Sequence, residues 1–382
     1  MGEGLSRFGT AMKEVHHKDS FGKILLRACW QTIQTVIVLA STLTAGRRGS
    51  IRLFYGGARS GNLGGSQVKI KRLSAFFPQN RWRYNIAYLL SNAPYLSAIA
   101  LDWLRLRRIP LVLNQNGVYY AGWYGGDWKN MNRIMALAYH RADHVFWQSD
   151  FCRRAANHFL GKREGPGEIL FNAIDTRGHF RPANVRQDRP FTFLLTGRID
   201  SHMAYRVEST ITGLRAARFA GLDCRLLIAG WIDPSTIVKI QQLIRRLDLS
   251  THVDFSGPYT QNNAPAIYQS ADAYVITKYL DPCPNTVLEA MACGLPVLYS
   301  ASGGVPELVG PKAGLGLYVP ENWENTIHIP SSEAVGEGMV KIAHGALEMG
   351  ISARQRAENE FEITSWIERH REIFQKLLRS SH

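Results

Sequence analysis

Two carboxylates eight positions apart, Asp281 and Glu289, flank a stretch built to hold an anion. Pro282 and Pro284 keep the chain between them extended, because a residue before proline is pushed out of the α region. Asn285 is a natural N-cap, and the spacing predicts a helix over 286–293 that Gly294 and Pro296 end. The backbone N–H groups of Asn285, Thr286 and Val287 would then be the free donors of a helix N-terminus, where the dipole favours negative charge. Glu289 sits one turn beyond Asn285 on the same face. An acid on each side of an anion site suits a ligand with hydroxyls at both ends and phosphate between, which is the layout of a nucleotide-sugar. A bare D-x7-E describes many acidic loops with a surface glutamate. The Pro-Cys-Pro-Asn-Thr entry, the Gly294-Leu-Pro-Val297 exit and the Gly303-Gly-Val-Pro-Glu307 turn are what argue for a site.

These residues need a sheet behind them. Apolar runs at 191–195, 225–230, 253–257, 273–277 and 297–299 alternate with helical patterns at 209–220, 236–247 and 264–269. That order predicts a parallel sheet with helical crossovers. The first half repeats it, with strands at 51–55, 85–90, 111–117, 144–148 and 169–174 and helices at 97–108, 131–141 and 151–160. Ligands of open α/β sheets bind at the carboxyl edge, which there offers Asn114, Gln115 and Asn116. The glycine-rich run 56–65, ending in Gly64 and Gly65, follows the first strand and would let backbone approach a ligand. Tyr119, Tyr120, Trp123, Tyr124 and Trp128 suit sugar stacking, a membrane interface or ordinary packing.

At 382 residues with 45% apolar content the chain is long enough for two cored domains and is not disordered. Five cysteines, an odd number without metal-like spacing, point to a reducing compartment and against a structural zinc. The net charge of +14 is uneven: residues 1–185 hold 26 Lys and Arg against 10 Asp and Glu, the rest 19 against 21. A basic half implies an anionic partner, whether a membrane face, a phosphate-bearing acceptor or nucleic acid, or else a solvated basic surface. No helix-turn-helix, RNP or zinc-finger signature supports nucleic acid.

Residues 1–22 read as a polar tail, and 24–45 as an apolar helix with a polar stripe of Arg27, Gln31, Gln34 and Ser41. That helix is open to three readings: lying in a membrane interface, packing on the protein, or spanning as an anchor or signal.

At Glu289-Ala-Met-Ala-Cys-Gly-Leu-Pro-Val297 and Gly303-Gly-Val-Pro-Glu307 the sequence resembles the retaining GT-B glycosyltransferases of family 4, the glycosyl transferase group 1 domain. Asp281 stands where the first Glu of that family's E-x7-E is usual. The resemblance is strong over 186–320 and weaker over 51–185. It implies an α/β chain of GT-B fold, two Rossmann-like domains facing across a cleft, with a C-terminal helix crossing back to the N-terminal domain. The implied parts are an extension at 1–50, an acceptor domain at 51–185, a donor domain at 186–358 and a crossover helix at 359–382.

The resemblance also implies roles. Arg198 grips the diphosphate, Glu289 the ribose hydroxyls and Asp281 the donor sugar, while main chain at Tyr259 holds the base. Gly64 and Gly65 face the donor, and Asn116 lies where many relatives place a histidine. The lysine that relatives carry falls at Tyr205, leaving His202 and Arg206 as the nearby cations. The implied chemistry is metal-independent and cofactor-free, a front-face transfer with retention from a nucleotide-sugar to a saccharide or lipid-linked saccharide. The basic first half and the apolar helix at 24–45 fit a place in the cytoplasm, peripheral on the membrane face. A scaffolding pseudoenzyme and an inverting transferase on the same fold are the alternatives.

Overall fold

A computed structural model of the chain describes residues 8–12, 21–41, 50–61, 65–183 and 189–380. In chain order it opens with a strand, β1 (Phe8–Met12), and a helix, α1 (Phe21–Ser41). The chain divides into two compact units, one of residues 16–171 with 364–382, the other of 1–15 with 172–363.

In the first unit, short Val-, Ile- and Leu-bearing runs become the strands β2 (Leu53–Phe54), β3 (Ile86–Leu90), β4 (Leu111–Gln115), β5 (His144–Trp147) and β6 (Gly167–Ile169). They pair in parallel in that order. The crossovers are α2 (Gly65–Phe76), α3 (Ala98–Leu106), α4 (Trp128–Arg141) and α5 (Asp150–Phe159). Strands β3 to β5 are buried throughout, the mark of a sheet covered on both faces. Ser149 starts α5 by accepting a bond from the Cys152 N–H at 3.1 Å.

Helix α1 packs on this unit with the opposite face to the one its pattern suggests. Its polar stripe turns inward: Gln34 and Ser41 are buried, Thr35 bonds Ser97, and Ser41 donates to Tyr84. Ile24, Leu25, Leu26, Ile33 and Val36 face out, Leu26 being 71% exposed. Trp30 is the anchor, donating its indole N–H to the Gly57 carbonyl at 3.1 Å.

The second unit carries β7 (Phe191–Thr196), α6 (Ala204–Phe219), β8 (Cys224–Ala229), α7 (Pro234–Arg246), β9 (Val253–Gly257), α8 (Ala264–Gln269) and β10 (Ala273–Ile276). After these come α9 (Asn285–Ala292), β11 (Val297–Ser300), α10 (Val305–Val309), β12 (Gly314–Leu317), β13 (Thr326–Pro330), α11 (Ser332–His344) and α12 (Ala346–Glu360). Six parallel strands lie in the order β12-β11-β10-β7-β8-β9. Strand β1 pairs antiparallel with β13, so part of the expected N-terminal tail is a strand of this unit.

The crossover helix expected over 359–382 starts later, at Ile363, after a break that follows α12. Glu362 is buried and accepts bonds from the Thr176 N–H at 3.1 Å and from the Thr176 hydroxyl, while the Ile363 N–H donates to Ile174. These bonds tie the unit's end to its beginning and break the helix. The chain then returns to the first unit as α13 (Ile363–Ser380). There His370 bonds the Tyr88 hydroxyl at 3.0 Å, Phe374 meets Phe77 edge-on, and Arg369 pairs with Glu168 at 2.7 Å.

Candidate functional site

Strand order in the second sheet reverses between β10 and β7. In an open parallel sheet that point leaves a crevice outside the carboxyl ends of the two strands, where ligands bind. The loops opening there are Thr196–Arg198 after β7 and Thr277–Asp281 after β10, with α9 just beyond. The topology thus brings Asp281, Glu289 and Arg206 to one edge.

Asp281 is held by its backbone. Leu280, at φ 52°, donates its N–H to Ser302 at 3.1 Å, and Gly304 donates to the Asp281 carbonyl at 2.9 Å. At Gly303, which is in the left-handed region at φ +70°, a Cβ would lie 2.5 Å from that carbonyl, so only glycine lets the turn press so close. The Asp281 carboxylate, 7% exposed, pairs with Lys278 Nζ at 2.8 Å.

Glu289, 8% exposed, accepts the Tyr268 hydroxyl proton at 2.8 Å. Tyr268 in turn meets the Thr196 hydroxyl at 3.2 Å, and Thr196 meets Tyr274 at 3.0 Å. Burial first, and then the Glu289 charge, push the Tyr268 and Tyr259 phenols well above their ordinary range.

Arg206 is buried against this cluster, donating to the Thr196 carbonyl at 3.2 Å, and its Nε has no hydrogen-bond partner in the protein. Asn285 is not the cap expected of it: Pro284 is, and Asn285 is the first helical residue. Proline ahead of it sets an extended cap without a side-chain acceptor. The Asn285 Oδ1 is buried with no hydrogen-bond partner, and Val287 is fully buried. A donor and an acceptor thus stay unsatisfied at one sheet edge, which a polar ligand would complete.

Arg198 lies differently. It is 70% exposed, pairs with Asp200 at 3.2 Å and stacks 4.3 Å over the Trp231 ring. Tyr205, in the place expected for a lysine, accepts a bond from the Tyr279 N–H at 3.1 Å, and burial pushes its phenol up to about 12. Tyr259 follows β9 and is half-buried.

In the first unit the carboxyl edge of β4 is partly self-satisfied, with Asn114 Nδ2 and Gln115 Oε1 buried without a hydrogen-bond partner. Asn114 accepts bonds from the buried Lys69 at 2.6 Å and from Gln148 at 2.8 Å. Asn116 is half-buried, its carbonyl oxygen accepting from the Ser91 hydroxyl and its N–H donating to that oxygen at 3.1 Å. The first glycines of the 56–65 run serve packing: a Cβ at Gly56 would meet Leu89 at 2.2 Å, and one at Gly57 would meet Gln34 at 2.6 Å. Gly64 lies outside the described residues, and Gly65 opens α2 with free space where a Cβ would be.

Lys278, Tyr268, Tyr274 and Thr196 complete the cluster and escaped the sequence reading. Lys278 carried one signal, its place three residues before Asp281. Among the described residues, no three His, Cys, Asp or Glu side chains gather in a way that could hold a metal ion.

Residues 177–328 match the family described as Glycosyl transferases group 1. The D-inositol 3-phosphate glycosyltransferase of Mycobacteroides abscessus is 31% identical over 137 residues, covering 34% of this chain and 28% of that protein. The N-acetyl-alpha-D-glucosaminyl L-malate synthase of Bacillus anthracis is 26% identical over 157 residues, 40% of each chain. The matched stretch therefore spans well under half the length of these relatives. Among solved structures, Anabaena HepE in complex with UDP superposes with a TM-score of 0.61 at 17% identity, over 81% of each chain, a likeness of fold. The chain thus has the GT-B fold, and its residues 177–328 match the glycosyl transferases group 1 family.

Proposed function

We propose that the protein is a retaining glycosyltransferase, moving a sugar from a nucleotide-sugar to a saccharide or lipid-linked saccharide at a cytoplasmic membrane face. One observation carries the reading. Two buried carboxylates, Asp281 and Glu289, stand at a switch-point sheet edge with two cations, Arg206 and Lys278, and the N-terminus of α9. The cations and N–H groups suit a diphosphate, the acids suit hydroxyls. The UDP in the HepE complex supports the donor class, and the names of the curated relatives support glycosyl transfer.

In the transfer, an acceptor hydroxyl attacks the anomeric carbon from the face that the diphosphate leaves. The carbon–phosphate-oxygen bond breaks, the glycosidic bond forms, and the acceptor proton passes to the departing phosphate. Arg206, the N–H groups of Asn285 and Thr286, and Arg198 once it leaves Asp200 neutralise the charge that develops; the Val287 N–H, expected to join them, is spent on the Pro284 carbonyl at 3.2 Å. Glu289 holds the ribose and Asp281 the sugar, with the main chain at Tyr259 on the base. Asn116 and the glycines at 64 and 65 keep the roles that the family resemblance gives them. Because protein cations fill the phosphate role, the reading needs neither metal nor cofactor. Membrane association rests on the outward apolar face of α1 and the basic first half.

NMR of the purified protein with UDP-, GDP- and ADP-sugars tests this. Slow donor hydrolysis or transfer with retained anomeric configuration is expected. Donors that all remain intact favour a second reading, a catalytically weak GT-B pseudoenzyme acting as a membrane-surface scaffold. The engagement of Arg198 by Asp200 and Trp231 and the tyrosine at 205 motivate that reading.

A further inference from the structure

We infer that Lys278 and Asp281 act as one unit in donor recognition, Lys278 reaching the diphosphate while Asp281 stays free for sugar hydroxyls. The inference rests on the nucleotide-sugar reading above. A carboxylate buried beside an anion site would repel the anion, and the closer the two lie the more it costs. Lys278 Nζ, 2.8 Å from Asp281 Oδ2, offsets that charge. An ammonium has three N–H donors, so it can keep the carboxylate and still donate to a phosphate oxygen.

The placement supports the role. Lys278 leaves the carboxyl end of β10 at the switch point. Its neighbour Thr277 donates to the Arg206 carbonyl at 3.1 Å, so the two cations are fixed to one turn of backbone. On its other side, the Tyr279 N–H is held by the Tyr205 hydroxyl at 3.1 Å, and Leu280 and Asp281 are pinned to Ser302 and Gly304. The backbone is therefore rigid, while the Lys278 side chain keeps 23% of its surface open. Tyrosine at 205 gives up a cation but fixes the loop that carries one.

Calorimetry on the full chain decides, with UDP, GDP and ADP and the matching nucleosides as probes. Lys278→Met should weaken nucleoside diphosphate binding about ten- to a hundredfold and leave the nucleoside unchanged. Lys278→Arg should retain most of the affinity. Asp281→Asn should bind the diphosphate as well as wild type or more tightly, since it removes a repelling charge. Should Lys278→Met not fold, Lys278→Gln keeps a donor to Asp281 without the charge and carries the same expectation. Wild-type diphosphate affinity in the folded uncharged variant overturns the inference, and so does an equal loss in Lys278→Met and Asp281→Asn, the signature of a purely structural pair. A wild-type protein that binds none of the three diphosphates instead sinks the donor reading, and this inference with it.

Discussion

The Tyr268 hydroxyl donates to Glu289 Oε2 at 2.8 Å, so one oxygen of this buried carboxylate is already oriented when a ligand arrives. The bond to Tyr268 fixes the rotamer in advance. Glu289→Ala should cost about 1.5–3 kcal/mol of donor stabilisation, at least tenfold in affinity. Glu289→Gln keeps the shape and a bond to Tyr268, and should lose donor affinity as well. Unchanged donor binding and turnover in folded variants would remove Glu289 from the site.

Asp281 touches the sugar in the proposed complex, and a free nucleoside diphosphate has no sugar there. Asp281→Asn should therefore depress turnover far more than diphosphate affinity. Steady-state rates set beside calorimetry check this, and matched losses in both would make Asp281 a structural residue.

The membrane reading is best tested on the outer face of α1. Deleting the helix would also remove Trp30, Gln34 and Ser41 from contacts the first unit uses. Leu26→Asn with Ile33→Asn and Val36→Asn spares those contacts. In vesicle flotation the wild type should float with anionic lipid at low salt, less at high salt, and the triple variant should stay behind. Each Lys or Arg near an anionic leaflet adds on the order of 1 kcal/mol and the apolar face adds burial, so neither alone anchors firmly. Wild-type protein that ignores anionic vesicles at low salt would end the membrane reading.

His370 gives the fold a pH dependence. Burial pushes its imidazole down to about 3, and it stands among Tyr88, Trp366, Lys69, His144 and Glu168. The unfolded chain takes up this proton near pH 6.5, the folded one only near 3. The stability it lends is thus full above about 6.5 and is lost as pH falls towards 3, by up to about 1.4 kcal/mol per pH unit. Denaturant melts from pH 7 to 4 should show a shallower acid loss in His370→Gln than in wild type. Parallel curves would assign the acid loss to other groups.

Much of the site was legible because its signals are local. The prolines, the helix after them, the glycine turn and the apolar runs each act within a few residues, so α9 and β11 follow from sequence with ends off by one position, while the alternation of strand and helix follows with wider misses, α6 starting at Ala204 rather than 209 and β6 ending at Ile169 rather than 174. Propensity could not decide that Pro284 rather than Asn285 caps α9, because an extended cap serves without a side-chain acceptor.

What stayed hidden depends on which surfaces meet. The pattern of α1 shows an apolar and a polar stripe, but only the packed structure turns Gln34 and Ser41 inward and leaves Leu26 and Ile33 outside. Gly57 reads as a glycine that lets backbone approach a ligand until Gln34 fills the space where its Cβ would be. Strand β1 finds β13 across some 300 residues, a pairing no local period announces. The order β12-β11-β10-β7-β8-β9 likewise arises from long-range strand pairing, and it alone sets Lys278 and Asp281 beside Arg206. Sequence by itself determined which residues could bind a sugar and a diphosphate. Tertiary structure decided which of them are buried at the same edge, because burial and charge pairing are properties of neighbours in space.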